Sequence, residues 1–207
     1  VTKEGLIDGL IKEGYLKTPL LIEAFRAVDR ADFVPPELNK EAYANYPLPI
    51  GYGQTISQPL TVAFMLELLD VQPGDRVLDV GAGSGWQTAL LSYLVGRRGE
   101  VLAIERVPEL KILAESNLNR CQGLRGRVRV VLGDGSAGLP GSGSFDRIVA
   151  GAAAQDIPEA WLQQLKRGGT LVAPFGGSVF RVVKDDEDKF RKEEYPGFVF
   201  VSLISEG

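Results

Sequence analysis

Apolar residues early in the chain recur at three- and four-residue intervals. Leu6, Ile7, Leu10 and Ile11 predict an amphipathic helix over 3–14, and Leu20, Leu21, Ala24, Phe25 and Val28 a second over 19–28. Thr18-Pro19 is a suitable start for the second helix. A Pro-rich, aromatic loop is expected from Phe33 to Tyr52. Pro59 then opens a third helix whose apolar face carries Val62, Phe64, Met65, Leu68 and Leu69.

From Asp75 the pattern changes to short apolar runs alternating with helical stretches. Strands are predicted at 76–81, 100–105, 127–133, 145–151 and 169–175, and helices at 85–96, 108–120 and 157–166. Strands that are apolar throughout and alternate with helices imply an α/β fold, a mostly parallel sheet covered on both faces. Gly99 and the pair Gly168-Gly169 stand where helices give way to strands. Beyond Phe175, SVFRVVKDD (178–186) and GFVFVSLIS (197–205) are β-branched and aromatic, and predict a closing antiparallel hairpin. Trp161, Leu162 and Leu165, at helical spacing, read as core.

Composition narrows the function. A chain of 207 residues, 44% hydrophobic, without repeats or a linker-like tract, is expected to form one domain. Within it, 1–58 would hold the opening helices and an acceptor loop, 59–175 the α/β core and 176–207 the hairpin. The formal charge of −4 gives no general attraction to nucleic acid. No apolar stretch approaches the roughly 20 residues of a membrane span, and the first residues are not signal-like; a cytoplasmic monomer with no membrane partner is expected. The lone Cys121 can form neither an internal disulfide nor a cysteine-based metal site, and nothing beside it suggests an activated nucleophile. With no histidine at all, Ser-His triads and ordinary zinc sites are excluded. The acidic run Asp185 to Asp188 lacks the spacing of a calcium loop and reads as a solvated turn, so no metal is expected.

Candidate chemistry begins at DVGAGSGW (79–86), on the turn from the first of these strands into its helix. Ligands of open α/β sheets bind at such turns. Glycines fall at 81, 83 and 85, but a dinucleotide fingerprint needs its third glycine at 86, where Trp86 stands, and no Gly-Lys-Ser/Thr marks a phosphate loop. What remains is a close backbone approach next to Asp79, a carboxylate suited to a cationic group. That profile fits S-adenosylmethionine, which carries an ammonium and no phosphate. Glu105 lies 24 residues beyond Gly81, where an acidic residue binds ribose hydroxyls in such folds, and Asp134 in GDG is placed to accept from an adenine amino group. The bland alternative is turn glycines with ordinary loop acids.

A second candidate region is PIGYGQTISQP (49–59), just before the third helix. The Ser57 hydroxyl and the free N–H groups beyond it can hold an anion such as a carboxylate; equally, Ser57 or Gln58 can simply cap the helix. Trp86 and Tyr52 are candidates to shield the site, with core packing the simpler role for Trp86.

VDRADFVPPE (28–37), GQTISQP (53–59), PGDRVLDVGAGSGWQTALL (73–91), AIER (103–106), GDG (133–135), FDRIVAGAAAQDIP (145–158) and LKRGGTLVAPFG (165–176) together resemble the protein-L-isoaspartate O-methyltransferase family over nearly the whole chain. GQTISQP is the specific element, since the glycine loop alone indicates only a methyltransferase. The resemblance implies a Rossmann-like class I methyltransferase fold of seven strands with a closing hairpin, S-adenosylmethionine as methyl donor, and isoaspartyl proteins and peptides as acceptors. It implies Ser57 as the active-site serine, and a cofactor pocket of Asp79, Gly81, Ala82, Gly83, Gly85, Glu105, Arg106, Asp134 and Gly135. Gln54, Thr55, Ile56, Ser57 and Gln58, with Ala152 and Ala153 of the loop after the fourth strand, would meet the acceptor. The chain departs from the family pattern at Val179-Phe180-Arg181 and Leu60, which puts acceptor affinity in question. Another carboxylate or small-molecule acceptor, or a cofactor-binding relative without turnover, are the alternatives. An acceptor carboxylate, ionised well below pH 7, needs no general base, which accounts for the missing histidine.

Overall fold

The computed structural model describes residues 1–186 and 189–203. Helices α1 (Lys3–Lys12) and α2 (Pro19–Ala27) open the chain, and two 3₁₀ turns follow at Arg30–Phe33 and Pro36–Glu41. The stretch expected to be a loop contains instead a small hairpin, β1 (Leu48–Gly51) and β2 (Gln54–Ile56), which leads into α3 (Pro59–Leu69). Its two-residue turn has positive φ at both Tyr52 (55°) and Gly53 (69°), the twist that closes a tight hairpin. The usual Asn-Gly or Gly-Gly signal is absent because a tyrosine takes the first left-handed position.

The alternating region forms β3 (Arg76–Val80), α4 (Trp86–Val95), β4 (Glu100–Glu105), α5 (Pro108–Arg120), β5 (Arg127–Leu132), β6 (Phe145–Ala150), α6 (Glu159–Gln164) and β7 (Leu165–Phe175). β8 (Ser178–Asp186) and β9 (Lys189–Pro196) complete a seven-stranded sheet of order β5-β4-β3-β6-β7-β8-β9. The strands from β5 to β7 are parallel, and β8 and β9 are antiparallel. From β3 the chain winds outward through β4 and β5, then returns to place β6 on the other side of β3. That reversal opens a crevice at the carboxyl ends of β3 and β6.

Side chains alternate between two cores. Val77, Val101, Ala103, Val149 and Val172 pack into the larger core with residues of α1 to α5. Leu78, Val80, Leu102, Ile104, Ile148, Ala150 and Leu171 face the smaller core around Trp161 of α6. α4 is buried almost throughout, from Trp86 to Val95, so its sequence reads as an apolar run more than as an amphipathic stripe.

The hairpin's second strand is not the one expected. β9 is KFRKEEYP, an edge strand whose Arg191 and Glu193 pair with Asp185 and Arg181 of β8. Charge suits an edge that must not pair further. The apolar segment after Pro196 leaves the sheet and runs to the loop following β6, where the Ala153 N–H donates to Val201 O at 2.8 Å and the Leu203 N–H to Ala153 O at 2.7 Å. Phe198 stacks on Phe64 with centroids 5.1 Å apart. Asp185 and Asp186 end β8, whereas Glu187 and Asp188 of the acidic run, and Ile204 and Ser205 of the expected strand, lie outside the described residues.

Candidate active site

The turn after β3 is built from left-handed glycines: φ is 86° at Gly81, 53° at Gly83 and 89° at Gly85. They let the chain reverse tightly and bring bare backbone to the crevice. The N–H groups of Gly81 and Ala82 donate to Ile104 O at 2.8 and 3.0 Å, fixing the loop to the end of β4. Gly85 serves packing: a Cβ there would stand 3.3 Å from Ala114 O and Leu118 Cγ of α5. Glu105 is 6% exposed and tied twice to backbone, its Oε2 accepting from Gly83 N–H at 2.8 Å and its Oε1 from Val107 N–H at 2.9 Å. Each oxygen keeps acceptor capacity for a further donor.

Asp79 is placed differently from the expectation. It has no exposed surface and does not reach the crevice wall. Thr88 Oγ1 donates to one carboxylate oxygen at 2.6 Å and Gln87 Nε2 to the other at 2.8 Å. Burial raises its pKa to about 6, against the lowering effect of those two hydrogen bonds. Gln87, held by Asp79, is the residue that lines the crevice. Asp134 caps a 3₁₀ turn: its Oδ1 accepts from the Ser136 N–H at 2.8 Å and the Ser136 hydroxyl at 2.7 Å. The next residue, Gly135, reaches the wall. Val80 passes so close that a Cβ on Gly135 would come within 2.4 Å of its Cγ1.

The opposite wall is β2 and the residue after it. Gln54, Thr55, Ile56 and Ser57 all line the crevice. Neither Ser57 nor Gln58 caps α3 with its side chain. The Gln58 amide donates to Asn45 O at 2.9 Å and lies off the wall, and the Leu60 N–H is taken by Asn45 Oδ1 at 3.0 Å. The helix start is therefore less open to an anion than its sequence suggests, whereas the Ser57 hydroxyl is bonded to no described residue.

The crevice is lined by residues of β2, the glycine loop, the end of β4 and the terminal segment. Of the residues singled out in the sequence it brings together Gln54, Thr55, Ile56, Ser57, Gly81, Ala82, Gly83, Glu105, Arg106, Gly135 and Ala152; Asp79, Gly85, Gln58, Asp134 and Ala153 are not part of its lining. Trp86, a candidate shield, lines it while Tyr52 does not, and it adds Ser84, Gln87 and Gly151, and also Val201, Ser202 and Leu203 from the terminal segment. Pairing with that segment is what occupies Ala153. Val179, Phe180 and Arg181 lie in β8 away from the crevice, Arg181 bonding Leu68 O at 3.0 Å. Leu60 packs partly buried against the larger core. Among the described residues no group of three or more acidic or cysteine side chains can hold a metal, and no helix is long and apolar enough to cross a membrane.

The lining suits S-adenosylmethionine. Val80, Ile104 and Ala152 give an apolar surface for a neutral ring, Glu105 offers acceptors for a diol, and the glycine backbone with Gln87 offers polar contacts for an amino-acid end.

Comparison with known proteins agrees with this geometry. The family model for protein-L-isoaspartate(D-aspartate) O-methyltransferase matches residues 1–207. The protein-L-isoaspartate O-methyltransferase of Methanopyrus kandleri is 43% identical, over 99% of this chain and 92% of its own length. That of Ignicoccus hospitalis is 44% identical over 99% and 98%. A crystal structure from Plasmodium falciparum, assigned as a protein-L-isoaspartate O-methyltransferase and in complex with S-adenosyl-L-homocysteine, superposes with a TM-score of 0.89 at 25% identity, covering 100% of both chains.

Proposed function

Because the chain belongs to the protein-L-isoaspartate(D-aspartate) O-methyltransferase family, we propose that it methylates the free α-carboxylate of L-isoaspartyl residues in proteins and peptides, with S-adenosylmethionine as donor. Bound in the crevice, S-adenosylmethionine supplies an electrophilic methyl group on a positively charged sulfur. Glu105 and the backbone of Gly81, Ala82 and Gly83 are the residues that hold it, with Gln87 positioned by Asp79.

The acceptor is an anion at neutral pH, so the protein's task is placement. Ser57 donates a hydrogen bond to one carboxylate oxygen and leaves the other free to attack. Full neutralisation by a cation would weaken the nucleophile, and a neutral hydroxyl avoids this. Trp86 and the terminal residues Val201 to Leu203 narrow the crevice and exclude water from the reacting groups. Since Cys121 is buried and unpaired, a reducing compartment suits the chain, and we place the reaction in the cytoplasm.

The observation that carries this reading is the Ser57 hydroxyl, which lies on the wall facing the glycine loop and is not spent on capping α3. A hydrogen bond to a charged partner is worth about 1.5–3 kcal/mol, so Ser57→Ala should lower turnover of an isoaspartyl peptide by roughly ten- to a hundredfold. Cofactor affinity should stay within about twofold of the parent protein. Unchanged turnover removes Ser57 from the mechanism.

A further inference from the structure

Arg30 is 2% exposed and forms no ion pair with a described residue. The nearest acid in sequence, Asp29, is engaged elsewhere: it accepts from the Ala31 N–H at 3.0 Å and the Tyr43 hydroxyl at 2.9 Å, and pairs with Lys3 at 3.5 Å. Burying a cation without a counter-charge costs stability, and an apolar side chain of similar length would fill the space more cheaply. Here the charge is used on carbonyl groups. Nη1 donates to Ala42 O at 2.7 Å and Ala44 O at 3.5 Å, and Nη2 to Tyr46 O at 3.2 Å and Ser57 O at 3.1 Å.

Those four carbonyls flank one element. Ala42, Ala44 and Tyr46 lie on the approach to β1, and Ser57 lies directly after β2. A single guanidinium thus grips both feet of the hairpin that forms the acceptor wall. The same group lies over the indole of Trp86, 5.3 Å from the ring centroid, and Trp86 is the first residue of α4, immediately beyond the glycine loop. Phe25 closes the other contact, edge-on to the indole at 5.6 Å. Arg30 Nε and Trp86 Nε1 are also the two buried side-chain polar atoms without a hydrogen-bond partner among the described residues. The contact between acceptor wall and cofactor loop is held at a cost in unsatisfied polarity.

We infer that Arg30 is a positioning residue for methyl transfer: it sets the Ser57 loop against the cofactor loop through both hairpin feet and the Trp86 ring. This rests on the proposed function of the same crevice. A planar fork spans several carbonyls in one plane, whereas an ammonium is a point donor that reaches fewer of them. Arg30→Lys therefore keeps the charge and loses the geometry.

The test measures steady-state methylation of an isoaspartyl peptide and calorimetric binding of S-adenosylhomocysteine for R30K, S57A and the double variant, with rates normalised to binding-competent protein. A displacement of about 1 Å at a reacting centre costs up to roughly a hundredfold, so R30K should lose about ten- to a hundredfold in kcat/KM with cofactor affinity within about twofold. Because Arg30 acts through the Ser57 loop, adding R30K to S57A should cost less than about threefold more. Wild-type kcat/KM in R30K, an equal loss in cofactor affinity, or fully multiplicative effects in the double variant would each overturn the inference. If S57A alone turns over normally, the assignment of Ser57 fails, and Arg30 is then judged by whether R30K loses acceptor kcat/KM while keeping cofactor affinity. Should R30K not fold, Arg30→Gln, a planar donor without charge, is held to the same criteria.

Discussion

Removing the charge of Asp79 tests whether the residue beneath the glycine loop is a buried carboxylate held by neighbours or a group that faces ligand. Its pKa is raised from 3.8 to about 6, chiefly by burial, with the Thr88 and Gln87 hydrogen bonds opposing and Glu105 adding slightly. Above pH 6 both folded and unfolded chains carry the charge, and the folded state bears the full desolvation cost. Below 3.8 both are protonated and the cost is gone. In between, the folded state binds the extra proton, so this residue's contribution to stability rises as pH falls from 7 to 4. A shift of roughly two units corresponds to about 3 kcal/mol. Asp79→Asn keeps the shape and has an oxygen for the Gln87 amide and an N–H₂ for the Thr88 oxygen, but no longer titrates. Urea unfolding of the cofactor-free parent and variant between pH 4.5 and 7.5 isolates the residue, since the other carboxylates cancel in the difference. Across this window the parent should gain about 2 kcal/mol on D79N towards low pH, equivalent to a change of roughly 4–8 °C in the Tm difference. Parallel stability curves would refute the buried-carboxylate account.

Two further substitutions probe the crevice. Gly135→Ala places a methyl 2.4 Å from Cγ1 of Val80, the last residue of β3, and should cost about 1–3 kcal/mol and weaken S-adenosylhomocysteine binding; adding Val80→Ala should recover part of both in thermal melts with and without ligand. Ending the chain at Gly197 removes the stacking of Phe198 on Phe64 and both hydrogen bonds to Ala153, and should raise the calorimetric Kd for S-adenosylhomocysteine by about tenfold, roughly 1.4 kcal/mol, whereas an unchanged Kd would show that the terminal segment does not close the crevice.

The central sheet was legible because burial on both faces forces apolar runs. Val77 to Val80 and Val101 to Ile104 can be nothing else in a chain that alternates them with helices. The hairpin edge was not, because β9 takes charge where an edge needs it, and the more apolar terminal segment looks more strand-like than the strand itself. The β1–β2 hairpin was hidden by Tyr52, an aromatic in a conformation usually reserved for Gly or Asn. In the site, strand-end spacing brings Glu105, Gly81 and Gly83 to the crevice. It does not reveal the hydrogen bonds of Asp79 and Asp134, since these depend on the local donors Thr88, Gln87 and Ser136, supplied by neighbouring turns. Arg30 carried no signal for its role, because its partners are backbone carbonyls, which no side-chain pattern reveals.

The most direct test offers the protein two peptides that differ only in having an isoaspartyl or a normal aspartyl residue, together with methyl-labelled S-adenosylmethionine. The account predicts a base-labile methyl ester on the isoaspartyl peptide and at most a trace on its partner, with no added metal required. Absence of label from the isoaspartyl peptide, or equal labelling of both, would contradict it.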